Sequence, residues 1–239
     1  MKILALDSTA KTMSVSVTDD KRLIGLTVLN TANTHSTTLL PAIEGMLKGA
    51  GLTLDDIELF VCSAGPGSFT GVRLGAATVK GLAFASGARC IGVSSLMALA
   101  MNITSGSGMV CAVMDARRSQ LYNALFEINE NGIKRITPDR VITKDELKAE
   151  LSEYKGKIYI VGDGYAIAKD ALSALDCPET PETARYQNAY SVACLGYESY
   201  MSLSESERDG LTASALAPVY LRASQAERER EEKLKNGKA

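Results

Sequence analysis

The chain opens on two short blocks of apolar or alternating residues, 3–7 and 13–18, joined by the polar stretch 8–12. That spacing predicts a β-hairpin. Residues 22–29 alternate again and predict a third strand. The period then changes. Leu39, Leu40, Ile43, Met46, Leu47 and Ala50 recur at three- and four-residue steps, the stripe of an amphipathic helix. Pro41 fits if the helix starts near Thr38, so that the ring falls in the first turn, and Gly51 ends it. Residues 57–62 are a compact apolar block, a buried strand. A glycine-rich turn and a long helix over 70–86 follow, closed by Gly87. Residues 90–93 predict another strand, and Ser94 or Ser95 caps a helix reaching Met101.

Ser105-Gly106-Ser107-Gly108 is the strongest linker signal in the chain. Beyond it the pattern begins again. Strands are predicted over 109–114 and 120–128 around the polar turn 115–119, and a third over 134–142. Thr143 caps a helix through Leu151, with Glu146 at the capping-box position. A strand over 158–161 ends on Gly162-Asp163-Gly164, and a helix follows over 165–175. Residues 184–203 read as one helix, 218–222 as a short extended piece, and 225–238 as a charged, solvated tail. Two halves that each open on a hairpin and continue into strand–helix units suggest a duplication. The expected class is α/β with duplicated mixed-sheet lobes, on the plan of the actin-like ATPase and sugar kinase superfold. Residues 1–104 would form the first lobe, 105–217 the second, and 218–239 a C-terminal segment with its tail.

Composition narrows the partners. At 239 residues the chain can bury a sizeable core. A net charge of −2 argues against a strongly basic nucleic-acid binder, while allowing a local basic patch. Trp is absent and aromatics make up 5% of residues, which argues against a base-stacking platform. Cys62, Cys90, Cys111, Cys177 and Cys194 form no CxxC pair, and an odd count without an export signal points to a reducing cytoplasm. No apolar stretch is long enough for a membrane span.

The stretch Gly65-Pro66-Gly67-Ser68-Phe69-Thr70-Gly71-Val72-Arg73-Leu74-Gly75 joins the central strand to the long helix. A strand, a glycine turn and a helix make a cradle for an anion, because free N–H groups and the helix dipole point at the turn. The spacing is neither a P-loop nor a dinucleotide fingerprint. A tight turn capped by Ser68 or Thr70 explains it equally well.

The stretch from Gly65 to Ala83 also resembles the signature of the TsaB (YeaZ) family. The resemblance extends to Ile3-Leu4-Ala5-Leu6-Asp7-Ser8-Thr9, to Asp115-Ala116-Arg117-Arg118 with Leu121-Tyr122, and to Pro218-Val219-Tyr220-Leu221-Arg222. It implies a two-lobed actin-like fold and a non-catalytic subunit of the bacterial tRNA threonylcarbamoyladenosine machinery. Such a subunit binds and activates a TsaD-like transferase, which moves a threonylcarbamoyl group onto adenosine 37 of tRNAs reading ANN codons. A TsaE-like ATPase completes the complex. The resemblance further implies a homodimer when the chain is alone, tRNA contact through the complex, and ATP and metal on the partner subunits, with no cofactor held tightly here. A small-molecule kinase of the same fold is the alternative.

Residues for chemistry are few. Asp7 ends the first strand where actin-fold kinases place a metal-facing aspartate, but Ser8, Thr9 and Ala10 follow instead of glycine, so turn capping is favoured. His35 is the single histidine, and metal sites or triads built on imidazole need more around it. The catalytic partner of the resembled family carries a His-x-x-x-His metal motif, whose positions fall here at Ser95 and Leu99. These cannot replace two imidazoles, so no catalytic residue and no metal ligand is expected. Asp7, Gly67, Asp115, Arg117 and Gly162 would mark a degenerate nucleotide cleft, unless Asp115 and Arg117 are a surface charge cluster and Gly162 a tight turn. The helix over 70–86 is apolar nearly all round, and the helix over 38–50 carries its apolar stripe. The resemblance places the partner interface on them, through Leu39, Leu40, Ile43, Leu47, Val72, Gly75, Ala76 and Val79.

Overall fold

The computed structural model describes residues 1–31 and 34–222. The tail expected over 225–238 lies outside the described residues. Strands β1 (Lys2–Asp7), β2 (Met13–Asp19) and β3 (Arg22–Leu29) form an antiparallel meander, as the alternation predicts. Helix α1 (His35–Ala50) leads to β4 (Leu59–Gly65), and α2 (Phe69–Ser86) to β5 (Arg89–Ser94) and the short α3 (Ser95–Ala100). In the first sheet the strand order is β3-β2-β1-β4-β5, with β4 and β5 parallel to β1.

The second half repeats the plan. Strands β6 (Gly108–Arg117) and β7 (Gln120–Asn129) make the opening hairpin. The single strand expected over 134–142 is two, β8 (Gly132–Arg135) and β9 (Arg140–Thr143), both paired with β7. Between them Ile136 and Thr137 bend away, their N–H groups both donating to the Leu125 carbonyl. Helix α4 (Lys144–Leu151) carries the expected capping box between Thr143 and Glu146. Strand β10 (Ile158–Val161) pairs parallel with β6, and α5 (Tyr165–Ala171) follows. The helix expected over 184–203 is divided into α6 (Glu182–Arg185) and α7 (Ala189–Ser202), because Tyr186 is extended and Asn188 caps a new start at Tyr190 N. A short α8 (Glu205–Asp209) precedes the C-terminal segment. A hairpin on one side of the central strand, a parallel strand on the other, and the repeat of this order in both sheets make this the actin-like ATPase and sugar kinase superfold.

Packing sets the layers. Helices α1 and α2 cover one face of the first sheet, where Leu39, Ile43, Ala76 and Val79 meet Leu6 and Val15. Helix α7 covers the opposite face, with Val192, Ala193 and Tyr200 against Ile3, Ala5 and Val61. Helix α7 thus lies beyond the linker in sequence but packs on the first sheet. Helix α3 sits between the sheets: Ala98 faces the first, and Leu96 and Leu99 the second. Helices α4 and α5 close the outer face of the second sheet.

Helix α1 begins at His35, ahead of the expected Thr38, and Pro41 lies inside it. Pro41 has no N–H for the Thr37 carbonyl. The early start is held by Thr37 and Thr38, whose hydroxyls donate to the Thr34 carbonyl at 2.8 and 3.3 Å, and by His35 Nε2, 2.7 Å from the Ala10 carbonyl.

Candidate functional site

The glycine turn after β4 is a packing surface. Ser68 caps α2, its Oγ accepting from Gly71 N. A Cβ on Gly67 would lie 2.5 Å from the Thr9 carbonyl, one on Gly71 would overlap the Ser8 carbonyl, and one on Gly75 would lie 2.7 Å from Ser8 Oγ. The three glycines therefore receive the β1–β2 turn. Ser8 Oγ donates to the Gly71 carbonyl at 2.9 Å, and Ser68 N donates to the Thr9 carbonyl at 2.7 Å. Only a residue without Cβ allows that approach.

Asp7 stands behind this turn. It is 1% exposed; Oδ1 accepts from Thr9 N and Thr9 Oγ1, and Oδ2 from Ser63 Oγ at 2.5 Å. Burial pushes its pKa up, and the Ser63 and Thr9 hydrogen bonds oppose that. The metal–nucleotide pair that kinases of this fold hold does not fit at Asp7, because one oxygen is committed to Thr9 of the turn and the other to Ser63 of β4.

On the second half, the β6–β7 turn carries three consecutive non-glycine residues with positive φ: Arg117 at 62°, Arg118 at 54° and Ser119 at 60°. Such backbone persists only where the surroundings fix it. Asp115 Oδ1 accepts from Arg117 N at 2.7 Å, and Asp163 Oδ1 accepts from Asp115 N at 3.2 Å. Burial pushes Asp163 up to about 6, with the Asp115 charge adding to the rise and Lys11 opposing it. Gly162 has φ 106°, and a Cβ there would also overlap the Val113 carbonyl, so both the backbone and the close approach require glycine.

The C-terminal segment joins the two turns. Val219 N donates to the Ala64 carbonyl at 2.7 Å. The Tyr220 ring lies 4.7 Å from that of Phe69, and its hydroxyl accepts from Arg73 Nε at 2.9 Å. Arg222 donates to the Ala116 carbonyl at 2.6 Å. These pieces enclose a cleft of about 700 Å3, whose walls include Lys11, Gly67, Arg73, Asp115, Arg117 and Asp163. Of the five residues expected at a nucleotide cleft, Gly67, Asp115 and Arg117 line it. Asp7 and Gly162 are set back from it, each used in packing its own turn. Lys11, Tyr122 and Tyr220 were not among the expected cleft residues, and Asp163 was marked only as part of the Gly162–Gly164 turn. Lys11 ends a polar turn and Asp163 stands between two glycines, both visible in sequence but silent about which cavity they share.

The expected partner face needs correction. Leu39, Ile43, Leu47, Val72, Gly75, Ala76 and Val79 are buried within this chain, where they hold α1 and α2 on the sheet. Leu40 alone of that set is exposed, at 50%. The outward side of the two helices instead shows Leu40, Ala77, Phe84 and the glycines 45, 49 and 81, with Glu44 and Lys48 among them on α1. Phe84 is 84% exposed, and a Cβ on any of those glycines would meet nothing within 4 Å.

Ser95 and Leu99 lie in α3 and are buried, Leu99 within the core between the sheets. Among the described residues no three His, Cys, Asp or Glu gather to hold a metal ion, and no helix is long and apolar enough to cross a membrane. All five cysteines are free thiols, and burial pushes Cys62 and Cys111 up to about 12.

Two duplicated sheets around a cleft, with Asp7 of the first strand set back from it, define a two-lobed actin-like protein. A family model described as TsaD, tRNA N6-adenosine threonylcarbamoyltransferase, matches residues 20–230. The tRNA threonylcarbamoyladenosine biosynthesis protein TsaB of Bacillus subtilis is 27% identical over 230 residues, covering 95% of this chain and 96% of that one. Its Escherichia coli namesake is 33% identical over 168 residues, covering 69% and 72%. Among solved structures, YeaZ from Pseudomonas aeruginosa superposes with a TM-score of 0.72 at 24% identity, covering 92% of this chain and 99% of that one. The chain belongs to this family, on its TsaB (YeaZ) branch.

Proposed function

We propose that this chain is the non-catalytic assembly subunit of tRNA threonylcarbamoyladenosine biosynthesis, docking on a TsaD-like transferase through the outer side of α1 and α2. The observation that carries the reading is the exposed apolar and small-residue face of those helices. A glycine inside a helix is about 1 kcal/mol less favourable than alanine. At Gly45, Gly49 and Gly81 nothing within the fold compensates, since the space above each is open. Close approach of another backbone is what such positions permit. Leu40 and Phe84 supply apolar area beside them.

In this reading residues 1–104 form the docking lobe, 105–217 the second lobe and 218–239 the C-terminal segment. The same face pairs two copies when the chain is alone. ATP and metal belong to the transferase and to a TsaE-like ATPase, tRNA is reached through the complex, and the setting is the cytoplasm. The kinase alternative would need Asp7 at a metal, and the Ser63 and Thr9 hydrogen bonds argue against that.

Co-purification tests the docking face. Gly81→Arg combined with Phe84→Glu is expected to leave the thermal transition within a few degrees of the parent. It should abolish both self-association and capture of the transferase, and with them threonylcarbamoyladenosine in cellular tRNA. A folded double variant that still captures the transferase and supports modification would overturn this reading.

A further inference from the structure

We infer that the cleft between the two hairpin turns is a metal-independent site for a phosphodiester stretch of the RNA substrate. The inference rests on the proposed role in tRNA modification and assigns this chain a direct contact within it. The chain as a whole is acidic, with 28 carboxylates against 26 basic side chains. Even so, Lys11, Arg73 and Arg117 converge on one cavity. Among the described residues no carboxylate lies within 4.0 Å of any of the three. Arg73 is held by Phe69 and Tyr220 without being neutralised; cations on a concave wall that no carboxylate neutralises concentrate an anion, and phosphates bound this way need no bridging metal. That agrees with Asp7, which is buried and bonded to Thr9 and to Ser63 of β4 and does not line the cleft.

The remaining wall separates RNA from other anions. Tyr122 and Tyr220 bring aromatic surface to a chain poor in it. Aromatic faces beside a basic groove are how single strands are held. Asp115 and Asp163 lie in the same cleft, where an acidic peptide would meet repulsion without compensation. A nucleotide unit offers exocyclic amino groups that carboxylates accept from. The cavity, about 700 Å3, is large enough for such a unit. Carboxylates, aromatic rings and cations together suit a base with its flanking phosphates. The left-handed run through Arg117 projects this turn at the cavity rim, and strain of that kind gathers at functional sites.

The test is fluorescence anisotropy of a labelled, unmodified tRNA transcript on the full chain, alone and with its co-purified transferase, over a salt series. Lys11→Glu with Arg117→Glu is expected to weaken binding at least tenfold. It should also lower the salt slope by about 1.4–1.8, roughly 0.7–0.9 for each of the two lost phosphate contacts. Capture of the transferase and the thermal transition should stay unchanged. Lys11→Arg with Arg117→Lys should restore affinity, which a merely structural defect would not allow. Chelating divalent ions should leave RNA binding in place. Affinity of the charge-reversed variant within twofold of the parent would overturn the inference. So would displacement of the RNA by magnesium–ATP, or by a polyglutamate peptide, at equal phosphate or carboxylate concentration. If the parent binds RNA through this cleft yet fails to capture the transferase, the assembly role falls and the RNA site stands.

Discussion

Two glycines in one helix are predicted to respond to alanine with opposite signs. In α2, a Cβ on Gly71 would overlap the Ser8 carbonyl, a backbone atom that no rotamer change can move, whereas a Cβ on Gly81 meets nothing within 4 Å. Forcing a methyl into a well-packed contact is destabilising by about 1–3 kcal/mol. Separating the turn from the helix also weakens the Ser8 Oγ to Gly71 carbonyl bond and the Ser68 N to Thr9 carbonyl bond, each about 1 kcal/mol. Against this stands a helix-propensity gain of at most about 1 kcal/mol. The net for Gly71→Ala is a loss of roughly 2–4 kcal/mol, and for Gly81→Ala a gain of up to about 1 kcal/mol. At about 2–4 °C per kcal/mol for a chain of this size, the melting temperature of the first should fall by roughly 4–16 °C and that of the second rise by a few. Differential scanning calorimetry on the two variants, in parallel with the parent, reads both signs. A Gly71→Ala protein as stable as the parent would show that the signature glycines do not serve the Ser8–Thr9 approach.

Asp163 should make stability fall as pH rises from about 4 to about 6, because burial raises its folded-state pKa from the ordinary 3.8 to about 6 while the unfolded chain ionises earlier. Carboxylates such as Asp19, held at about 2 by Lys2, act in the opposite direction. The parent-minus-Asp163→Asn difference in urea denaturation isolates the effect, and a difference flat across that interval would refute it. Magnesium–ATP should show no micromolar affinity for the isolated chain by calorimetry, since Asp7 is committed to Thr9 and Ser63. With a thiol reagent at pH 8, Cys177 should react first and Cys62 and Cys111 only on unfolding, as burial holds the latter two near 12. Ser94→Ala should destabilise by about 1–2 kcal/mol, because Ser94 Oγ caps α3 at Met97 N and donates to Asp139 at 2.6 Å.

The elements were largely legible because period is a local property. The hairpins, the capping box at Thr143 and the helix after Gly67 all follow from residues within a few positions of one another. The breaks were less visible. Pro138-Asp139 marks a break between 134 and 142 that the alternation overrode, but that Thr137 would turn its hydroxyl to Leu125 N was not visible. The start of α1 depends on His35 meeting the Ala10 carbonyl, twenty-five residues back in sequence. The site was legible in its parts and not in its use. A helix with apolar residues on most sides has both a core face and an outer face, and sequence does not say which is which. Val79 and Ala76 look no different from Ala77 and Phe84 until the sheet is in place. The signature glycines likewise read as an anion cradle or a docking stripe, because their true neighbours, Ser8 and Thr9, lie about sixty residues away.

Helix α7 bears on how the polypeptide is made. Its residues, 189–202, supply the cover for Ile3, Ala5 and Val61, which are synthesised more than a hundred residues earlier. During synthesis the first sheet therefore waits, one side only partly covered by α3, until α7 has emerged. Nascent chains usually fold from the amino terminus as units are completed, but here the earliest strands are completed by one of the latest helices. A ribosome stalled near residue 104 would hold a sheet with an exposed apolar surface, a substrate for chaperones and for aggregation.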